Sequence, residues 1–247
     1  MTLIDAPAGS AVATPEPSAA ASDATVFDLA STTVRELNSA LHGASSGAYT
    51  VRSPGGKHNL AVGLDAPLTV TIEGHAGYYC AGMNQHATVR VLGNVAVGAA
   101  ENMMSGVVEV VGAAGQSAAA TAHGGLLLVR GDAAARCGIS LKGADIVVEG
   151  SVGHMTGFMA QKGRIVICGD AGEALGDSLY EARLYVRGTV ASLGADCIEK
   201  ELRAEHLSEL EELLAAAGRT DLSPTEFRRY GSARTLYNFT ADRVEAS

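Results

Sequence analysis

Between residues 69 and 188 the chain repeats one short pattern of alternating aliphatic and variable positions, each copy closed by a glycine: TVTIEG, TVRVLG, VVEVVG, LLLVRG, DIVVEG, RIVICG and RLYVRG. The closing glycines, Gly74, Gly93, Gly112, Gly131, Gly150, Gly169 and Gly188, stand 19 residues apart every time, without insertion or deletion. Self-similarity at a fixed short period is the signature of a solenoid. Four and two residues before each glycine the side chain is always aliphatic, from Val70 and Ile72 to Leu184 and Val186, and most of these are β-branched. That alternation suits a strand with one buried face. The position between them is mixed: Thr71, Arg90, Glu109, Leu128, Val147, Val166 and Tyr185. It is read as an outward column.

Seven residues after each glycine only Ala or Gly occurs, from Ala81 to Ala195, and a second small column falls six residues later. Small residues at fixed phases mark corners and tight interior slots. Asn94, Asp132, Ser151, Asp170 and Thr189, directly after the strand glycines, are turn formers. Each coil is therefore strand, corner, extended piece, corner, extended piece. The prediction is an all-β fold, a single-stranded parallel β-helix of 19-residue coils with helices flanking it. Coils stacked at about 4.8 Å make a prism roughly 30 Å long. One further coil is expected before these, with Gly55 taking the glycine position and Ser53 interrupting the aliphatic column.

Different patterns flank the repeat. Residues 1–24 are rich in Ala, Pro and Ser and aperiodic, as in a flexible tail or an arm that orders on a partner. TVFDLA reads as a short strand, and Ser31 as the cap of a helix over TTVRELNSALHG that Gly43 ends. EKELRAEHLSELEELLAAAG reads as one amphipathic helix stopping at Gly218. Ser223-Pro224-Thr225-Glu226 is a capping box that predicts a second helix through Phe227. The last stretch concentrates aromatic and basic residues. Phe227, Arg228, Arg229, Tyr230, Tyr237 and Phe239 are the candidates for docking a partner or for packing along the prism. The resulting segmentation is 1–24 tail, 25–48 strand–helix cap, 49–200 β-helix, and 201–247 C-terminal helices with an aromatic docking tail.

Composition narrows the function. The 247 residues are 47% hydrophobic, 18% charged and 4% aromatic, with 30 glycines and no Trp. This is a folding composition built on Ala and Val. A net charge of −9 removes the electrostatic basis for unspecific nucleic-acid binding. No uninterrupted apolar run is long enough for a membrane span. The first basic residue is Arg35, so no signal-peptide n-region is recognised and a cytoplasmic protein is expected.

Candidate chemistry is sparse. Cys80, Cys137, Cys168 and Cys197 contain no C-x-x-C pair, and the first two, three coils apart in one column, lie roughly 14 Å from each other. His58, His75, His86, His123 and His154 occupy different phases, so no metal ladder forms. GDAGEALG lacks both phosphate-loop spacings. Asp132 and Asp170 recur two coils apart, and turn chemistry accounts for them better than a catalytic pair. No catalytic, cofactor-binding or metal residue is assigned.

With the register in place, the glycine phases Gly150, Gly153, Gly157 and Gly169, Gly172, Gly176 carry a resemblance to the GXGXG family. That family is the right-handed β-helix at the C-terminal end of the glutamate synthase large subunit, found also as a subunit of formylmethanofuran dehydrogenase. The resemblance covers about residues 50 to 200, with Ala in place of some glycines. Longer segments, among them GHAGYYCAGMNQHATVRVLGNV, ENMMSG, GHMTGFMAQ, ASLGADCIEKE and EFRRYGSARTLYNF, look like the small, free-standing β-helix subunits of N-methylglutamate synthase and its glutamate-synthase-like relatives. The resemblance implies a non-catalytic assembly subunit. Its implied partners are a glutaminase-like (class II amidotransferase) subunit and a synthase subunit that carries FMN and an iron–sulfur cluster. The implied reaction converts glutamate and methylamine to N-methylglutamate and ammonia. Two alternatives stay open: a subunit of another complex of either kind, and a stand-alone carbohydrate-active β-helix enzyme.

Overall fold

A computed structural model describes residues 24–234. The tail expected over 1–24 lies outside these residues apart from Ala24, and so do Tyr237 and Phe239. The elements are β1 (Thr25–Asp28), α1 (Val34–His42), β2 (Gly47–Arg52), β3 (Leu68–Ile72), β4 (Thr88–Val91), β5 (Val107–Val110) and β6 (Leu126–Val129). They continue with β7 (Lys142–Val148), β8 (Lys162–Ile167), β9 (Arg183–Val186), β10 (Cys197–Lys200), α2 (Ala204–Ala216) and β11 (Arg228–Ser232). From β1 to β9 every strand pairs in parallel with the next. A second ladder of bridges runs from Ala76 through Val95, Ala114, Ala133, Val152 and Ala171 to Val190. The architecture is the expected parallel β-solenoid.

All fourteen residues of the two aliphatic columns are buried, none more than 1% exposed. Each contributes roughly 1.5–3 kcal/mol before entropy is subtracted. The strand glycines are explained by close approach. A Cβ on Gly93 would sit 2.7 Å from the carbonyl of Gly74, and one on Gly131 2.9 Å from that of Gly112. Successive glycines hydrogen-bond down the column, Gly131 N–H to Gly112 O at 3.0 Å and Gly150 N–H to Gly131 O at 3.1 Å.

The small column has a different cause. Ala81, Ala100, Ala119, Gly138, Gly157 and Gly176 all have φ between 52° and 73°. In most coils the residues two before and two after are left-handed as well, for example Ser117 and Thr121 around Ala119. Alternating backbone handedness points successive N–H groups at opposite neighbouring coils. Ser117 donates forward to Ala135, Ala119 backward to Ala99, and Thr121 forward to Ile139. Those inter-coil bonds offset the cost of left-handed backbone at residues other than glycine.

The ends differ from the sequence expectations in four respects. The first coil is longer: Val51 pairs with Ile72 and Tyr49 with Val70, 21 positions apart. Ser53, with φ 53°, therefore occupies the glycine position, and Gly55 does not. Helix α1 is capped by Thr33 and not by Ser31. Glu36 N–H donates to Thr33 Oγ1 at 3.2 Å, and Thr33 N–H donates to Glu36 Oε2 at 2.8 Å. Ser31 instead bonds the carbonyl of Asp28. The helix closes the first coil by burying Leu37 and Leu41, while Asn38 donates to Asn59 O and accepts from Ala61 N–H. The long C-terminal helix is shorter than read, because Glu199 and Lys200 belong to β10 and Arg203 is the N-cap. Finally, the capping box at Ser223 opens only a single 3-10 turn, Pro224–Glu226. The chain then enters β11, which lies antiparallel between β9 and β10. A strand inserted in reverse ends the parallel stack.

Candidate functional site

The outward strand column decides where the flanking helix lies. Thr71 is half-buried, Arg90 is exposed, and Glu109 is partly covered by its ion pairs to Arg90 and Arg130. Leu128, Val147, Val166 and Tyr185, in the same column of later coils, are at most 2% exposed. They are roofed by α2 through Leu210, Leu213 and Leu214, with Ala217 and Phe227 completing a second core. Polar contacts fasten the roof at both ends. The Tyr185 hydroxyl donates to Glu209 at 3.0 Å, and Arg183 pairs with Glu209 at 3.0 Å. At the other end Arg130 donates to Ala217 O, the helix C-cap, at 2.6 Å while bonding Glu109 and Glu149. A cation at a helix C-terminus satisfies an orphan carbonyl and complements the dipole. Burial, followed by the charge and hydrogen bond of Glu209, raises the Tyr185 phenol above its ordinary range.

The aromatic candidates are used inside the chain. Phe227 is 3% exposed in the roof core, and Tyr230 is 2% exposed in the main core. Arg228 is exposed and donates to Gly188 O at 2.8 Å. Arg229 is half-buried, its Nε bonded to Glu201 O at 2.9 Å. For Phe227 and Tyr230 the structure therefore selects packing along the prism.

The turn column is a side-chain ladder. His75 Nδ1 accepts from Asn94 N–H, and Asn94 Oδ1 accepts from Ala113 N–H, each at 2.9 Å. Asp132 Oδ1 accepts from Ser151 N–H at 2.7 Å, and Ser151 Oγ from Asp170 N–H at 3.0 Å. Asp170 Oδ1 accepts from both the N–H and the hydroxyl of Thr189. Those two bonds hold the Asp170 carboxyl below the usual carboxylate range. Each side chain thus stands in for a backbone acceptor toward the next coil. The Asp132/Asp170 pair is structural. His58 likewise accepts from Tyr78 N–H and stacks on the Tyr78 ring.

The thiols are buried in four different coils. Burial pushes Cys80 and Cys137 up to about 12, and Cys168 and Cys197 up to about 11. A protonated, inaccessible thiol is neither a nucleophile nor a ligand at neutral pH. Among the described residues no three His, Cys, Asp or Glu side chains converge as a metal-binding group.

Two concavities flank α2. The larger, about 990 Å³, runs beside the helix over the backbone of Gly106, Gly125 and Gly163. His86 and Ser105 line it, but no hydrogen bond joins them among the described residues, and Arg164 is held bidentate by Asp145 at 2.6 and 2.7 Å. The smaller, about 310 Å³, lies where β9, β10 and β11 meet the start of α2 and is lined by Arg183, Lys200, His206, Arg229 and Arg234. Sequence reasoning did not single out this cluster except for Arg229. The signal is absent from the linear chain, because the register of β11 between β9 and β10 creates it.

Among the described residues no helix is long and apolar enough to cross a membrane. No family model matches the chain. Comparison with curated proteins finds Protein GlxC of Rhizobium meliloti (strain 1021), 58% identical over 225 residues, covering 90% of this chain and 99% of that protein. At that identity, over 90% of this chain and 99% of that protein, the chain belongs to the same family as Protein GlxC.

Proposed function

We propose that this chain is a non-catalytic structural subunit of a glutamate-synthase-type complex, with N-methylglutamate synthase as the specific assembly. In this reading a glutaminase-like subunit and a flavin and iron–sulfur synthase subunit carry the chemistry, in the cytoplasm, and the β-solenoid holds them together. The observation that carries the scaffold role is the commitment of the reactive side chains. Asp132, Asp170 and His75 of the turn column accept inter-coil N–H bonds, and all four thiols are buried with their pKa raised by that burial. These cysteines do not fit an iron–sulfur cluster, which needs several thiolates converging on one site, whereas these lie in four different coils. The resemblance of the glycine phases and of the GHAGYYCAGMNQHATVRVLGNV and EFRRYGSAR segments supports the glutamate-synthase side.

Co-expression with the two candidate partner subunits is the test. The expected result is one co-purifying complex that forms N-methylglutamate from glutamate and methylamine, while the chain alone has no turnover. Turnover by the isolated chain, or full activity of the partners without it, would refute the scaffold reading. A complex active on another amine would refute only the choice of methylamine.

A further inference from the structure

Three neighbouring strands bring like charges onto one face of the solenoid's C-terminal end. Lys200 of β10 stands directly opposite Arg229 of β11, and Arg229 directly opposite Tyr185 of β9. Arg183 lies two residues before Tyr185 on β9, hence on the same face. Like charges directly opposite each other in a sheet are destabilising, and nothing about stacking requires cations here. Arg234 and His206 complete the wall of the concavity, against one lining carboxylate, Glu181. Glu205, next to His206, also acts on Arg229 through its charge and has no ion-pair partner among the described residues, whereas three further acids nearby are engaged. Glu209 bonds Arg183 and Tyr185, Asp196 bonds Arg234, and Glu201 bonds Arg203. Lys200 has no hydrogen-bond or ion-pair partner among the described residues, and Arg229 uses only its Nε, on a backbone carbonyl. Burial, together with the charges of Arg183 and Arg203, holds the Arg229 guanidinium below its ordinary value. His206 Nδ1 accepts from Arg203 N–H, so its ring proton sits on Nε2 as a donor. In a chain of net charge −9, the Lys200 ammonium and the terminal nitrogens of Arg229 are left without an acidic partner, beside Arg183 and Arg234, which each hold one.

We propose that Arg183, Lys200, Arg229 and His206 form a docking site for the carboxylates of an acidic segment on a partner protein. Two features favour a protein-borne anion over a free one. The concavity is shallow and open at about 310 Å³. It also adjoins β10, the last strand of the sheet order, whose outer edge carries no strand among the described residues. An extended acidic segment can pair with that edge while its side chains reach the guanidinium forks. The site rests on the assembly reading only for the identity of the partner.

The test uses the full-length chain, a fluorescein-labelled hexaglutamate peptide followed by anisotropy at low salt, and a hexalysine control. Hexaglutamate is expected to bind, with affinity falling as salt rises. Lys200→Gln is expected to weaken binding about tenfold, and Lys57→Gln, in the first coil, to leave it unchanged. Lys200→Gln should keep or raise the Tm, since it relieves the repulsion from Arg229. A loss of binding together with a lower Tm would assign Lys200 a merely structural role and overturn the proposal. Absence of hexaglutamate binding, or equal binding by Lys200→Gln, would also overturn it. Glutarate and inorganic phosphate serve as competitors, and displacement by either at concentrations comparable to the peptide would make the anion a free one and refute the protein-borne source. These measurements need no partner subunit, so their failure leaves the co-expression result standing, and the reverse holds too.

Discussion

Leu128→Ala, compared with Thr71→Ala in the same outward column, measures what the C-terminal helix covers. Leu128 is 2% exposed beneath α2 and packs in the cluster containing Val147, Val166, Leu210 and Leu213. Truncation removes three buried carbons and leaves a cavity between a regular sheet and a helix fastened at Glu209 and at its C-cap Ala217, so little collapse is available. Substitutions of this kind cost about 2–5 kcal/mol. At roughly 2–4 °C per kcal/mol for a domain of this size, the Tm should fall by roughly 4–20 °C. Thr71 has no helix above it, and Thr71→Ala should cost no more than about 0.5–1 kcal/mol. Differential scanning calorimetry reads both shifts. A double-mutant cycle adding Leu213→Ala should be non-additive by about 0.5 kcal/mol or more, because both side chains lie in one cluster. Equal shifts for Leu128→Ala and Thr71→Ala, or strict additivity with Leu213→Ala, would refute the roofed-column argument.

Gly157→Leu should lower the Tm strongly, since φ is +73° and a Cβ there already sits 3.2 Å from Leu184 Cδ2. Gly157→Ala should be much milder, because Ala81, Ala100 and Ala119 hold the same phase with φ of 52–56°, and thermal melts of the two variants compare them. Asp170 has a depressed carboxyl pKa in the folded state, so its contribution to stability is present above the unfolded value near about 3.9 and lost as pH falls through the folded one. Asp170→Asn should therefore melt with a shallower dependence on pH below about 4, and an unchanged acid slope would contradict the ladder role. The four cysteines should stay silent to a thiol reagent at pH 8 until denaturant is added, and rapid labelling of the folded chain would contradict their burial.

The strand phases were readable because a solenoid repeats one local environment, and a position that is interior in every coil shows itself as an aliphatic column. The small-residue column was likewise visible, although its cause, left-handed backbone that directs hydrogen bonds to both neighbouring coils, is a property of the stacked chain. The ends were less legible because they occur once. Ser53 and Gly55 lie two residues apart, and only the pairing of Val51 with Ile72 tells which one turns the first coil. Glu199 and Lys200 precede a helical pattern yet belong to β10, because a sheet edge next to β11 satisfies their backbone. Phe227 and Tyr230 read equally as docking residues or as residues packed along the prism while their surroundings were unknown, and they are buried once β11 is placed.

A repeat thus declares its fold in one dimension, since the contacts between coils are contacts between equal phases of the same 19-residue word. The candidate site does not, since Arg183, Lys200 and Arg229 are scattered over the C-terminal part of the chain and become neighbours through a strand that runs against the stack. The switch of the outward column from Thr71 and Arg90 to Leu128, Val147 and Val166 was present in the sequence throughout. It takes its meaning from α2 lying over it, because an apolar side chain on an outer face is stable only where another element excludes water.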